Sequence, residues 1–144
     1  MISTSSKYAI KAVLYLAIHS SESNKIVAKD LAEPVRAPLP YVSKLLQELS
    51  RQQLISSHKG PKGGFYLTKI NKENTLMDVV KAIDGEERIH ACLLDLEKCN
   101  TDRPCPLHHV VYPEKSNLIT YLSEETIDSF TEKYESVNRY FSLD

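Results

Sequence analysis

The sequence predicts a mainly α protein with one small β-hairpin, followed by a longer C-terminal helix. Three observations carry this reading. Apolar residues recur at helical spacing in several segments set off by serine, proline or glycine. Three of the four glycines fall within residues 58–64, between two short strand-like runs, where a hairpin needs positive φ. The chain has 144 residues, 42% hydrophobic and 26% charged, which suffices for one core.

Residues 5–20 read as the first helix, capped by Ser5 or Ser6, with Ile10, Val13, Leu14, Ala17 and Ile18 at helical spacing. Tyr8, Ala12, Tyr15 and Leu16 fill most of the remaining circumference. A helix apolar nearly all round is buried on more than one side. In so small a domain, the expected second surface is a partner protomer.

Residues 27–33 form a short second helix ended by Pro34. Pro38 and Pro40 stand at the entry of a third, which runs to about Gln52. Its inward face is Val42, Leu45, Leu46 and Leu49, and its outward face carries Ser43, Lys44, Gln47 and Arg51. Two helices joined by a tight turn, the second amphipathic, are a helix-turn-helix. Residues 54–57 and 65–68 read as strands, and the connection between them bears Lys59 and Lys62. A basic hairpin directly after a helix-turn-helix is a wing.

Thr75 and Asp78 form a capping-box pattern for a helix over 75–84, with Leu76, Val79, Val80 and Ile83 on its apolar face. A further helix covers residues 107–122, with Val111, Leu118, Ile119 and Leu122 on one side. Pro113 either kinks it or marks its start. Ser123, Glu124 and Glu125 cap a last short helical segment, and residues 131–144 are helical or frayed. The expected organisation is a winged helix-turn-helix over 1–84, a cysteine-containing loop over 85–106, and a dimerisation helix with tail over 107–144.

The net charge of −1 conceals an uneven distribution. Residues 1–72 carry eleven Lys or Arg and four Asp or Glu, about +7, which leaves the remainder about −8. An electropositive module is joined to an acidic one, as nucleic-acid binding through the first half requires. Neither a membrane-spanning run nor a secretion signal is evident, so a cytoplasmic protein is expected.

All three cysteines, Cys92, Cys99 and Cys105, lie within fourteen positions, and His108 follows the last by three residues. An odd number of thiols cannot close fully into intramolecular disulfides. Thiolates and a neutral imidazole are ligands for iron–sulfur clusters, and zinc accepts the same set. Zinc knuckles space cysteine pairs more closely than the six- and five-residue gaps here. A switch based on thiol chemistry alone is the remaining reading. No nucleophile elbow, P-loop or dinucleotide fingerprint accompanies the cysteines, which argues against an enzyme.

In this order, the motifs resemble the Rrf2 family of bacterial transcription regulators over roughly residues 1–130. The marks are Ser6-Lys7-Tyr8-Ala9, Tyr41-Val42-Ser43-Lys44-Leu45-Leu46, Leu54-Ile55-Ser56-Ser57, Gly60-Pro61-Lys62-Gly63-Gly64-Phe65, Val79-Val80-Lys81-Ala82-Ile83-Asp84-Gly85 and the three cysteines. The resemblance implies a homodimer whose long C-terminal helix crosses onto its partner and which binds a palindromic DNA operator as a repressor. It also implies a 2Fe–2S or 4Fe–4S cluster that senses redox, nitric oxide or iron–sulfur status. In the IscR-like branch a histidine at the position of His108 completes the ligand set. The NsrR-like branch uses a carboxylate near the N-terminus, and no Asp or Glu precedes Glu22 here. His108 is therefore favoured, with His109 a competing imidazole. Family members without clusters act through thiols or by binding a metabolic enzyme.

The expected DNA contacts are Ser43, Lys44, Gln47 and Arg51 on the third helix, with Lys59 and Lys62 on the wing. Ser5, Ser6 and Lys7 are placed to hold a phosphate at a helix N-terminus, and the Tyr41 hydroxyl to reach the backbone. Gln suits adenine and Lys suits guanine acceptors in the major groove.

Overall fold

In the computed structural model, which describes residues 2–94 and 102–133, the first helix α1 (Thr4–His19) is the central element. Ala9, Ala12, Val13, Leu14, Leu16 and Ala17 are all buried, and together they reach around the helix. α2 (Ala28–Val35), α3 (Leu39–Arg51), α5 (Leu76–Asp84) and α8 (Ile127–Lys133) pack against it. The all-round apolar pattern is thus buried within one chain. The expectation that a partner protomer supplies the second surface of α1 is corrected: α5 and α8 supply it.

The cap of α1 also differs. Ser3, not Ser5 or Ser6, has extended backbone and accepts from the Ser6 N–H at 3.0 Å. Each serine in the run is chemically competent; tertiary contact selects Ser3, because Asp84 at the end of α5 accepts both its N–H, at 3.0 Å, and its hydroxyl. At the other end, Ser20 caps with its N–H on the Leu16 carbonyl.

α2 runs through Pro34 instead of stopping before it. The proline lies in the last turn, where it forfeits one bond near an end. The helix closes when Arg36 turns left-handed (φ 60°) and donates its N–H to Ala32 and Glu33. Pro38 caps α3 and Pro40 follows in its first turn, where N–H groups have no intrahelical acceptor. Val42, Leu45, Leu46 and Leu49 are buried, as the spacing predicts.

β1 (Ser56–His58) and β2 (Gly64–Tyr66) pair antiparallel, with Ser57 opposite Phe65. The strands lie nearer the tip than expected because Leu54, Ile55 and Leu67 are drawn into the core. Ile26 forms a bridge to Phe65 through two hydrogen bonds of 2.9 and 2.8 Å, docking the wing beside the entry to α2.

Two one-turn helices, α4 (Lys69–Lys72) and α6 (Glu86–Ile89), were not expected from periodicity. α4 is set by a capping box in which Asn71, not Glu or Gln, answers Thr68. Buried Asn71 also accepts from Ser56 at 2.8 Å and donates to the carbonyl of Gln53, a residue with φ 63°. In α5 the Thr75–Asp78 capping box stands as predicted, and Gly85 closes the helix.

α7 (His108–Glu124) contains Pro113 without starting at it. The cap of α8 is Thr126, which accepts from the Ser129 N–H at 3.0 Å, rather than residues 123–125. Residues 134–144 lie outside the described residues. Among those described, no helix is long and apolar enough to cross a membrane.

The Ser3–Asp84 contact yields a pH prediction. Burial raises the Asp84 pKa, but hydrogen bonds from the Ser3 hydroxyl and N–H outweigh it, with Arg88 adding attraction, and the carboxyl ends below its usual value. Ser6 lends a weaker pull although its buried hydroxyl meets no partner at hydrogen-bonding geometry. A lowered folded pKa contributes stability that is present above the unfolded value of about 3.8 and lost as pH falls through the folded one. Asp84→Ala should cost about 1–3 kcal/mol at neutral pH by denaturant unfolding. Its deficit relative to the parent should shrink below about pH 4.

Candidate nucleic-acid interface and cysteine segment

The outward face of α3 and the wing enclose a groove lined by Gln47, Ser50, Arg51, Ser57, His58 and Lys59, floored partly by Val27 and Phe65. Ser50 and Ser57 hydroxyls meet at 2.8 Å and tie the helix to β1. Lys44, Gln47, Arg51, Lys59 and Lys62 are exposed and Ser43 is half-buried; of these, Gln47, Arg51 and Lys59 line the groove. The wing turn depends on glycine geometry. Gly60 has φ +109°, and a Cβ on Gly63 would stand 2.1 Å from the His58 carbonyl oxygen.

A second depression, which shares Gln47 and Arg51 with the first, is lined also by Ser5, Tyr41, Lys44, Glu48 and Ile83. Ser5 and Tyr41 hydrogen-bond through their hydroxyls, and the Tyr41 ring meets Tyr8 edge-on at 5.6 Å. Lys7 is exposed. Ser6 is fully buried and its N–H is held by Ser3, which removes it from the expected phosphate contacts.

Arg51 is not simply an outstretched cation. Its Nε and a terminal nitrogen donate to the two carboxylate oxygens of Glu48 at 3.0 and 2.6 Å. Gln52 donates to the same carboxylate at 2.6 Å and to the Ala82 carbonyl at 2.8 Å. Hydrogen bonds from Arg51 and then Gln52 bring the Glu48 pKa down to about 2, and the Arg51 pKa rises in return. Glu48, Ser50 and His58 were not singled out from sequence. The i, i+3 spacing of Glu48 and Arg51 was the available signal.

In the cysteine segment, Cys92 is buried and Cys105 half-buried, and neither is in a disulfide. His108 opens α7, donates its N–H to the Cys105 carbonyl at 3.0 Å and stacks its ring on Tyr112 at 4.8 Å. His109 is exposed. Cys99 lies outside the described residues. Among those described, no three His, Cys, Asp or Glu side chains converge as a metal-holding group. The donor chemistry nevertheless fits a soft metal centre, since Cys105 and His108 flank one turn and thiolate with imidazole is an iron–sulfur ligand combination.

A helix-turn-helix with a docked, lysine-tipped wing defines a DNA-binding transcriptional regulator rather than an enzyme. The chain belongs to the Rrf2 family: residues 2–133 match the family model described as an iron-dependent transcriptional regulator. It is 32% identical to a protein of Aquifex aeolicus provisionally named an HTH-type transcriptional regulator, covering 84% of both chains. It is 30% identical to the HTH-type transcriptional regulator IscR of Pectobacterium atrosepticum, covering 95% of this chain and 82% of that one. In fold it resembles CymR, the global cysteine regulator of B. subtilis, with a TM-score of 0.71 at 19% identity, over 93% of this chain and 98% of that one. It also resembles T. potens IscR, with a TM-score of 0.65 at 21% identity, over 94% and 90%.

Gly63 provides a direct check on the wing. Gly63→Ala should force the turn to open, at an overpacking cost of about 1–3 kcal/mol. Faster amide hydrogen exchange in residues 56–66, with unchanged protection in α1 and α5, is the expected result.

Proposed function

We propose that this chain is a homodimeric repressor whose operator affinity is set by an iron–sulfur cluster. Cys92, Cys99, Cys105 and His108 would hold the cluster, which when bound cross-links the start of α7 to the segment after α5. The observation that carries the reading is the confinement of every thiol to residues 92–105, ending at the helix turn that also bears His108. IscR relatives at 30% identity support it. Exposed Val110, Tyr112 and Tyr121 on α7 support a partner protomer there, consistent with a division into residues 1–84, 85–106 and 107–144.

DNA is read by Ser43, Lys44 and Gln47, with half-sites about 10 bp or a multiple apart. Lys59 and Lys62 meet phosphates, while Ser5, Lys7 and Tyr41 lie at the flank. Lys59→Ala should weaken binding to all sequences and lower the salt slope by about one. Gln47→Ala should relax preference at particular base pairs. Equal losses on operator and random DNA for both variants would reject that division.

A second reading is a clusterless thiol regulator, favoured by the fold likeness to CymR. An anaerobic titration on one operator at one salt concentration separates the two. Holo and apo forms should differ tenfold or more, about 1.4 kcal/mol of coupling, and Cys92→Ala, Cys99→Ala or Cys105→Ala should abolish the visible absorbance. His108→Ala should alter the spectrum without necessarily removing it. A colourless parent protein with superimposable curves decides for the second reading.

A further inference from the structure

Lys115 is only 3% exposed, a rare state for lysine, and shares burial among polar side chains of the described residues with Ser6 and Asn71. Its ammonium donates to the Ala91 carbonyl at 2.6 Å. Among the described residues no carboxylate pairs with it. An ammonium withdrawn from water without an ion pair is costly, and an apolar side chain of equal length would fill the same slot at lower cost. What lysine adds is the bond to Ala91. That carbonyl lies just beyond α6, and the next residue is the buried Cys92. Tyr112, Ser116 and Ile119 of α7 line the same depression together with His90.

α7 therefore touches the cysteine segment at two places. Its first turn bears His108, hydrogen-bonded to Cys105, and about two turns on Lys115 grips the residue before Cys92. We propose that Lys115 is a positioning residue that clasps the entry to Cys92 onto α7. It thereby fixes the spacing between Cys92 and the Cys105–His108 turn. The consequence for a cluster rests on the function proposed above; the clasp itself does not.

The test is Lys115→Met, whose unbranched side chain fills the slot without a donor, with Lys115→Leu as a second variant. Apo protein is alkylated with N-ethylmaleimide under anaerobic reducing conditions, and each cysteine is followed by peptide mass spectrometry. Cys92 should react at least tenfold faster in the variants, with Cys105 unchanged and far-UV circular dichroism retained. Unchanged Cys92 rates, or equal acceleration of Cys92 and Cys105, would overturn the clasp. In a second arm, anaerobically reconstituted variants should lose visible absorbance in air at least tenfold faster than the parent, and equal rates overturn the extension to the cluster. A parent that takes up no iron and sulfide rejects the cluster reading alone, since the alkylation arm still decides on the clasp.

Discussion

Burying the apolar residues of α1, which reach around the helix, is the constraint on which the rest of the structure depends. Six of its apolar residues are buried around the helix, leaving Thr4, Lys7 and His19 as its exposed positions, so neighbours must arrive from several directions. α2 and α3 come from the chain that directly follows, whereas α5 and α8 come from much later. The helix-turn-helix pair and the later helices consequently share a single core, with Leu31, Leu46, Val79 and Ile127 all in it. A displacement beside α5 cannot stay local, because α5 also packs on α3.

Elements whose apolar period or capping chemistry is self-contained were legible in the sequence. α3 and α5 are the clearest cases: Val42, Leu45, Leu46 and Leu49 mark one face, and Thr75 with Asp78 announces its own helix start. Failures came where a distant partner decides between equivalent local choices. Ser3 prevails over Ser5 and Ser6 because of Asp84, eighty-one residues away. α4 was hidden because Asn71 stands where a capping box usually has Glu or Gln, and α6 is one turn without a side-chain cap. The candidate interface was legible as residue types but not as states. Exposure agreed for Lys44, Gln47 and Lys59; the pairing of Arg51 with Glu48 had a signal in their i, i+3 spacing, whereas the burial of Ser6 depends on tertiary geometry no spacing rule supplies.

The uneven charge acquires a physical meaning in the fold. Lys44 of α3 and Lys59 and Lys62 of the wing are exposed, and Glu48 neutralises the neighbouring Arg51. Such an exposed pair adds little stability and is screened by salt. Gln52 links its carboxylate to the carbonyl of Ala82 in α5.

The two hydrogen bonds between Ile26 and Phe65 make the base of the wing a three-segment structure, although the hairpin itself has two strands. Anchorage and reach are thereby separated along the hairpin. The base is committed to the core, whereas Lys59, Pro61 and Lys62 at the tip are exposed and, as side chains, take no part in that anchorage. Within the glycine framework that shapes the turn, the tip is open to sequence change at little cost to folding. Proteins of this architecture can therefore diverge at the hairpin tip by rewriting a few residues, leaving the hydrophobic interior untouched.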